Sequence, residues 1–431
     1  MRTVLLASVS IASIASAQPA PDAGEPATPP AAAEPAPPVA EPAPPPPAEP
    51  PPVEKKEGGV SVSYDHGVKI ETEDKRFEAK LNLKSQLRFE SVRPTEDDSQ
   101  FANNFFIARA RLGLGGYLFG KDNIYKTELA LGDSGGFSFL KDIYYERKAT
   151  DALYVRFGQW KRPFNRAEMT SDFSGQMNER SIQNELAGGG RSLGIAVHNN
   201  YEKSPEGLEW VVGVFNDFNG GSDRPTVTTL CTQDPLTGKI TCANAKPQNY
   251  PKDFGPTAVV RVGWNSANMK GYSEGDHEGG PLRYAIGASY KVDFANFAKG
   301  AAMSVGENMQ HGVEVDGMVK VQGFAVGVGG VVMKQRNPAG TASTTDYGFF
   351  VQPSEMILDK KAEVVGRFAM VTVADNTRKQ LEARVGFNWF LGGHDLKVVT
   401  DLGFLYFTGM DATGATDKPD LDFRAMLQFV L

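Results

Sequence analysis

The sequence has very few cysteines and no excess of positive charge. Two cysteines among 431 residues exclude a small scaffold held together by disulfides. The formal net charge of -7 disfavours nonspecific binding to nucleic acid, which needs a basic surface. No segment after residue 17 contains 18 consecutive apolar residues, so no transmembrane helix is expected there. A transmembrane β-barrel is compatible with these absences, because only every second residue of its strands faces lipid.

Signatures of catalysis and of metal binding are also scarce. The five histidines are scattered along the chain, which has neither an H-E-x-x-H motif nor a Walker loop. We therefore expect no enzyme, no metal site and no cofactor.

The first 57 residues differ in composition from the rest. An apolar run over residues 4–14 precedes Ala15-Ser16-Ala17, which predicts a signal peptide over residues 1–17. The following tract contains 16 of the 28 prolines, and repeated proline favours extended backbone without internal hydrogen bonds. We predict a disordered, Pro/Ala-rich periplasmic linker over residues 18–57 and a single domain over residues 58–431.

Apolar and polar residues alternate through most of this domain. In residues 77–90 nearly every odd position is apolar, and nearly every even position is charged or polar. In residues 104–119 apolar residues such as Ala108 take the even positions, while Arg109 and Arg111 occupy the other face. A period of two indicates strands with one apolar and one polar face.

Sixteen such strands can be counted, and their connections alternate between short and long. Long connections, such as residues 161–190 and 217–255, alternate with turns of a few residues, as in outer-membrane barrels. Residues 266–280 fall where a short turn belongs and are an exception to this pattern. We predict an all-β protein, a transmembrane antiparallel β-barrel of about 16 strands. The alternative is a soluble β-sandwich, whose apolar faces would meet in a core.

Aromatic residues near the predicted strand ends favour the barrel over the sandwich. Such residues form girdles at the two membrane interfaces. The girdle candidates are Phe105, Tyr117, Phe119, Tyr144, Tyr145, Tyr154, Trp160, Trp264, Tyr290, Phe390 and Tyr406.

Several stretches resemble the phosphate-selective porin O and P family of bacterial outer-membrane channels. The most specific is V-R-F-G-Q-W-K-R-P-F at residues 155–164, which is followed by Glu168, Ser171, Glu179, Arg180 and Arg191. The others, in the same order as in the family, are F-I-A-R-A-R-L at 106–112, G-V-F-N at 213–216, V-Q at 351–352 with Glu363 and Arg367, and G-F-N-W-F-L at 386–391 with His394 and Lys397. The similarity covers roughly residues 60–431.

The resemblance implies a trimer of sixteen-stranded barrels, each with a long third loop, here residues 161–190, folded inward. It also implies a pore lined by basic side chains that attract anions. The chain departs from this pattern in two respects. From residue 58 onward it has 42 basic and 45 acidic residues, and it ends in Leu431 where the family usually has an aromatic residue.

The polar faces of the strands carry the charges that would line a pore. The expected bases are Lys80, Lys84, Arg88, Arg109, Arg111, Lys126, Arg156, Arg261, Lys320, Arg384, Lys397 and Arg424, and the expected acids are Glu78, Glu90, Glu128, Asp142, Glu146, Glu314, Asp316, Glu363, Glu382, Asp401 and Asp422. The loop adds Lys161, Arg162 and Arg166, opposed by Glu168, Asp172, Glu179 and Glu185.

Eight of these bases are predicted to attract anions, because the charge that crowds the narrowest point sets ion selectivity. They are Lys80, Lys84, Arg88, Arg109, Arg111, Arg156, Lys161 and Arg162. Arginine suits phosphate because its planar guanidinium donates two hydrogen bonds and stays charged. The alternative is that these bases pair with nearby acids and only solvate the wall, which would leave a general diffusion pore.

Cys231 and Cys242 lie in the same long connection, residues 217–255. In an exported chain with only these two cysteines, we predict a disulfide between them, with two free thiols as the alternative. Such a bridge would stabilise the fold by about 3 kcal/mol in the chain-entropy treatment.

The sequence therefore predicts a porin in the bacterial outer membrane. Its partners would be outer-membrane lipid, small hydrophilic or anionic solutes and two further copies of the chain, with no nucleic acid. Transport would be passive, and either selective for anions such as phosphate or non-selective. A β-rich surface adhesion or receptor protein is the remaining alternative.

Overall fold

The computed structural model describes eleven segments of the chain. They are residues 59–93, 100–133, 140–188, 190–216, 229–233, 240–244, 256–294, 309–336, 343–373, 378–408 and 420–431. The predicted signal peptide and the predicted linker lie outside the described residues.

Twenty strands and two short helices make up the described fold. The strands are Val60–Tyr64 (β1), Val68–Thr72 (β2), Glu78–Arg93 (β3), Ala102–Tyr117 (β4), Asn123–Asp133 (β5), Leu140–Thr150 (β6), Leu153–Lys161 (β7), Arg191–His198 (β8), Gly207–Asn216 (β9), Thr229–Gln233 (β10), Ile240–Asn244 (β11), Pro256–Asn265 (β12), Arg283–Phe294 (β13), Met309–Val321 (β14), Phe324–Arg336 (β15), Ser343–Ile357 (β16), Ala362–Val373 (β17), Arg378–Gly392 (β18), Leu396–Thr408 (β19) and Asp420–Val430 (β20). The helices are Arg166–Met169 (α1) and Ile182–Ala187 (α2), with 3₁₀ turns at Asp172–Ser174 and Tyr201–Lys203. No helix among the described residues is long and apolar enough to span a membrane.

Sixteen of the strands close into an antiparallel barrel, as predicted. From β3 to β9 and from β12 to β20, each strand pairs with its neighbour in the chain, and β9 pairs with β12. The cylinder closes where residues 421–430 of β20 pair with residues 93–84 of β3. All strand edges within the wall are therefore paired, which is the condition for burying a sheet in lipid.

The two faces of the barrel have opposite composition. Apolar side chains on the outside, such as Phe157, Ile286 and Val315, are 57–59% exposed. Charged side chains on the inside are buried, among them Arg88, Arg111, Glu128, Asp142, Arg156, Arg261, Glu314, Asp316, Lys320, Glu363, Glu382, Arg384, Lys397, Asp401 and Asp422. This distribution is the reverse of a soluble β-sandwich and is that of a transmembrane barrel.

Two hairpins lie outside the sixteen-stranded wall. The hairpin of β1 and β2 joins β3 through residues 68–71, which pair with residues 81–78. Strand β3 is longer than β20, which pairs only with its residues 84–93. Leu83 exchanges two backbone hydrogen bonds with the last residue, Leu431, and the hairpin pairs with the part of β3 before it. The second hairpin, β10 and β11, lies in the long connection after β9 and places Cys231 directly opposite Cys242 in the backbone register.

One predicted face assignment is wrong because of a β-bulge. Gln86 of β3 pairs with Arg109, but the next residue, Leu87, pairs with Ile107, so Ala108 has no partner on β3. The extra residue exchanges the two faces of β4 at this point. Ala108 is therefore buried instead of facing lipid, while Ile107 is 53% exposed.

The aromatic girdle was predicted too broadly. Tyr117, Tyr154, Trp160 and Phe390 are at most 7% exposed and point away from lipid. Their parity within the strands explains this, since Phe157 on the lipid side fixes Trp160, three residues later, on the inner side. Phe119 and Trp264 are exposed at the end of the barrel that holds the short turns.

Candidate functional site: the barrel lumen

Residues 162–188, between β7 and β8, fold into the lumen, and we call them the inward loop. The side chains of Asn165 and Ser171 accept hydrogen bonds from backbone N–H groups of the turns that follow them. Gly188 ends α2 with a φ of 60°, a conformation that glycine adopts without strain. The third long loop therefore folds inward, as the family resemblance implied.

An apolar cluster holds the base of the inward loop. Phe164 and Ala187, from its two ends, pack with Trp160 of β7, Phe215 of β9 and Met333 of β15. The rings of Trp160 and Phe215 meet edge to face with centroids 5.0 Å apart. The loop thus leaves the wall from a rigid base.

The far end of the loop is hydrogen-bonded to acids of the opposite wall. The backbone and side-chain N–H groups of Asn178 donate to Asp401 Oδ2 over 2.9 and 2.7 Å. The backbone N–H of Ile182 donates to Glu382 Oε2 over 2.9 Å. The inner charges of β18 and β19 therefore serve as anchors for the loop.

Arginines of β3 and β4 bind the inward loop through two carboxylates. Glu179 accepts from Arg88 Nη2 and Arg109 Nη2, each over 2.5 Å. Asp172 lies 2.8 Å from Arg111 Nη2 and 3.8 Å from Arg109 Nε. Three of the bases predicted to attract anions are thus paired with acids of the loop.

Asp172 occupies the centre of this charge cluster. Besides the arginines of β4, Arg180 Nη2 lies 2.5 Å from its carboxylate. Burial alone would raise the pKa of Asp172, but Arg180, Lys161 and Arg111 hold that pKa well below its ordinary value. The carboxylate is therefore charged at neutral pH and compensates the surrounding cations.

Three other predicted bases lie away from this cluster. Lys80 Nζ donates to Asp65 of the β1–β2 hairpin over 3.0 Å. Arg156 binds Glu146 and, through two nitrogens, Glu202, over 2.6–3.0 Å. Arg162 Nη2 donates to the backbone oxygen of Gly188 over 3.2 Å, at the base of the inward loop.

Lys84 and Lys161 have looser charge partners. Lys84 Nζ lies 3.9 Å from Glu128 Oε2 and 5.6 Å from the ring centroid of Phe173. Lys161 Nζ donates to the backbone oxygens of Glu168 and Thr170 over 2.6 and 3.0 Å. Carbonyl oxygens stabilise an ammonium group without cancelling its charge.

A second segment enters the lumen from the opposite end. Residues 266–282, between β12 and β13, form what we call the inward turn, whereas the other turns at this end have two to eight residues. Lys320 Nζ donates to Ser273 Oγ and to the backbone oxygen of Gly275 over 2.7 and 2.8 Å. Asp276 accepts from the backbone N–H of Gly323 over 2.9 Å. The turn is thus attached to the inside of the barrel.

An open space lies along β3 to β8. A cavity of about 270 Å³, which we call the side cavity, runs between this wall and the inward loop. Its lining includes five bases, three acids and three large aromatic residues: Lys84, Arg111, Lys126, Lys161, Arg191, Glu128, Asp142, Glu202, Tyr144, Trp160 and Tyr272. Within it, Lys126 Nζ lies 2.8 Å from Asp142, and Arg191 Nε lies 2.6 Å from the same carboxylate.

The sequence did not indicate the inward turn as part of the lumen. No pattern in the sequence indicates a role for Tyr272 or Glu274, although residues 266–280 are unusually long for a turn at this position. Gln176 of the inward loop was also missed, and its amide nitrogen donates to Ser354 and Glu363 over 2.6 and 2.5 Å. A neutral amide in a loop belongs to no charge pattern or motif, so the sequence does not mark it as part of the lumen.

Comparison with known families gives a match over nearly half of the chain. Residues 77–277 match the family described as phosphate-selective porin O and P. This range contains the most specific of the motifs, residues 155–164. No curated protein sequence matches the chain at a significant level.

Solved structures of outer-membrane channels share the fold. An anion-selective porin from Comamonas acidovorans is 13% identical, with a TM-score of 0.52, and the match covers 82% of this chain and 99% of that one. The outer-membrane channel DcaP of Acinetobacter baumannii is 14% identical, with a TM-score of 0.50 and coverages of 82% and 97%. OprB of Pseudomonas putida is 13% identical, also with a TM-score of 0.50, and its coverages are 82% and 94%.

The family match and the closed barrel agree with each other. Both are those of channel proteins of the bacterial outer membrane, and the lumen is lined by charge and narrowed by a folded loop. This chain is an outer-membrane porin related to the phosphate-selective porins O and P over residues 77–277.

Proposed function

We propose that the porin passes small hydrophilic solutes through the side cavity, with a preference for anions. The inward loop is bound to β17–β20 and to β3 and β4. The side cavity along β3 to β8 stays open beside the loop, and we take it as the passage. The lining of that space has two more bases than acids. An excess of positive charge at a constriction raises the local concentration of anions.

The observation that carries this proposal is the environment of Lys84 and Lys161. Arg111, Lys126 and Arg191 each lie 2.6–3.3 Å from a carboxylate of the same cavity. Lys84 lies 3.9 Å from its carboxylate, and Lys161 donates to carbonyl oxygens. Among the bases that line the cavity, these two lysines therefore have the loosest pairing with carboxylates, and we assign to them most of the positive charge that remains next to the passage.

Ion preference can be tested by measuring the reversal potential of single channels in a potassium chloride gradient. We expect the parent protein to prefer chloride. Lys84→Gln together with Lys161→Gln should lower the chloride-to-potassium permeability ratio about two-fold or more, and more strongly at low salt, because screening acts over about 10 Å at 0.1 M. Repeating the measurement with phosphate as the anion tests whether the preference extends to it.

Two control variants separate charge from structure. Lys161→Arg keeps the positive charge beside the loop carbonyls and should retain the preference. Lys80→Gln removes a lysine that binds Asp65 in the β1–β2 hairpin, and it should leave selectivity unchanged. A parent channel that prefers potassium, or a double variant with unaltered selectivity, would contradict the proposal.

General diffusion without charge preference is the second candidate. It is favoured by the pairing of Arg88, Arg109, Arg111 and Arg156 with carboxylates, which cancels most of the positive charge in the lumen. The same gradient distinguishes it, because a non-selective pore gives a reversal potential close to zero. In either case we propose that the chain catalyses no reaction.

We also propose a disulfide, a homotrimer and removal of the signal peptide. Backbone pairing of Cys231 with Cys242 supports a disulfide, and alkylation before and after reduction would test it by mass. Cross-linking in detergent would test the homotrimer, and the mass of the mature chain would test cleavage after Ala17. Unreduced protein that takes up two alkyl groups would contradict the disulfide.

A further inference from the structure

We propose that the inward turn is a second constriction element, which supports the inward loop from the opposite end and sets the width of the passage. This inference rests on the channel function and does not depend on a preference for anions. Its basis is the place where the two inward segments meet.

The tip of the inward turn is hydrogen-bonded to the inward loop. Glu274 Oε2 accepts from the backbone N–H of Gln176 over 2.7 Å. The same oxygen accepts from Gln352 Nε2 over 3.1 Å, and Gln352 Nε2 also donates to Gln176 Oε1 over 2.7 Å. One carboxylate therefore joins the turn, the loop and strand β16.

The gap beside this contact is too small for a solute. The gap lined by Glu274 and by loop residues such as Asp172 and Arg180 contains about 20 Å³. A single water needs roughly 10–15 Å³ measured in this way. The side cavity is more than ten times larger and can hold a small solute, which is why we place the passage there.

The inward turn also forms part of the wall of that cavity. Tyr272 lines it, and the guanidinium of Arg166 lies 4.6 Å from the centroid of the Tyr272 ring. The Tyr272 hydroxyl accepts from Arg261 Nε over 3.1 Å and donates to Glu209. These contacts fix the ring between the inward loop and the strands β9 and β12.

The attachment of the turn to the wall excludes a freely hanging segment. His277 packs edge to face on Phe390 and His394, with centroid distances of 4.2 and 4.7 Å. Together with the Lys320 and Asp276 contacts, this holds both sides of the tip. The turn thus has the rigidity that a constriction needs to discriminate between solutes.

The direct experiment replaces residues 268–279 by a four-residue Gly/Ser link and measures single-channel conductance in planar bilayers. We expect conductance to rise about two-fold or more, and larger neutral sugars to enter, because the part of the cavity wall that the inward turn forms is removed. Heat-modifiable migration in electrophoresis verifies that the barrel is closed. A closed barrel with the conductance and size limit of the parent would overturn the proposal.

A cysteine variant tests the proposal even if the shortened chain does not fold. In a chain whose native cysteines are replaced by serine, Tyr272→Cys should raise conductance, and a bulky methanethiosulfonate should then reduce it to about half or less. Ala152→Cys is the matched control at the same end of the barrel, where the side chain is exposed outside the lumen. If reagent attached to residue 272 leaves the current unchanged, the turn does not border the passage.

Failure of this proposal is distinguishable from failure of the proposed function. A parent protein that forms no channels refutes the function itself. Unaltered selectivity in the Lys84 and Lys161 variants refutes only the preference for anions. Unaltered conductance after removal or modification of the inward turn refutes only the second constriction.

Discussion

The two halves of the lumen use similar charged walls in different ways. Along β12 to β20, acids such as Asp401 and Glu382 bind the inward loop, and Lys320 binds the inward turn. Along β3 to β8, arginines of β3 and β4 also bind the inward loop, but the other bases pair with acids of neighbouring strands and leave the side cavity open. Most of the charge inside this barrel is therefore structural, and we propose that selectivity depends on the small remainder.

The largest expected effect comes from breaking the link between the inward loop and the open half. Asp172→Ala leaves Arg111 and Arg180 without their shared carboxylate, and the removal of one partner from a buried ion pair costs about 3–5 kcal/mol. We expect the loop to detach intermittently, so that single-channel recordings show additional, larger conductance levels.

The exposed pair of Lys148 and Asp151 supplies the control for this prediction. Asp151→Ala removes a carboxylate that lies 2.5 Å from its cation, as Asp172 does from Arg180, but at the surface, where ion pairs contribute little to stability. Its recordings should match the parent. A steady, parental conductance in Asp172→Ala would mean that the loop is held without the charge cluster.

A smaller effect is expected from Arg109→Ala combined with Arg111→Ala. These arginines are already compensated by Glu179 and Asp172, so their removal should disturb loop docking more than it changes ion preference. The reversal potential should shift less than in the lysine double variant, while current noise should increase. A larger shift than in the lysine variant would return the anion-attracting role to the arginines.

The smallest effect is a pH dependence of the inward turn. Burial, and then the charge of Lys397, lower the pKa of His277 to about 4. Because the docked imidazole has a pKa below its ordinary value, the docked turn binds fewer protons than the undocked turn between about pH 4 and pH 6.5, and acid favours undocking. The charged and titratable groups facing this ring are His394, Lys397, Lys320, Lys360 and Glu278.

Conductance should therefore rise modestly as the pH falls from 6.5 to 4. The His277→Phe variant keeps an aromatic ring against Phe390 and should abolish the change. A parental pH profile in that variant would show that another group, such as Glu274 or His394, responds to acid.

Local patterns in the sequence predicted the barrel well. The alternation of residue types identifies strands and their faces because neighbouring side chains on a strand point to opposite sides. The inner position of residues such as Arg261 and Asp422 followed directly from this parity. The prediction failed at Ala108, because a bulge changes parity without changing the composition of the strand.

The site could be predicted only in part. The length of residues 161–190 and the family resemblance indicated an inward loop, but not which walls it would contact. Gln176 meets Glu363, 187 positions later in the chain, and no local pattern connects two such residues. The sequence also does not predict that the inward turn enters the lumen, since a turn of this length can fold either into the barrel or away from it.

The alternation of apolar and polar residues is enough to specify a barrel with lipid outside and charge inside. That outcome depends on the free energy of transferring each side chain from water to hydrocarbon, which is a property of the single residue. Apolar residues at every second position therefore define the face that meets lipid. Which charges are neutralised, and where the side cavity lies, follow only from the folded barrel. Neutralisation requires atoms from distant strands and loops to come within hydrogen-bond distance, and only the closed barrel brings them together.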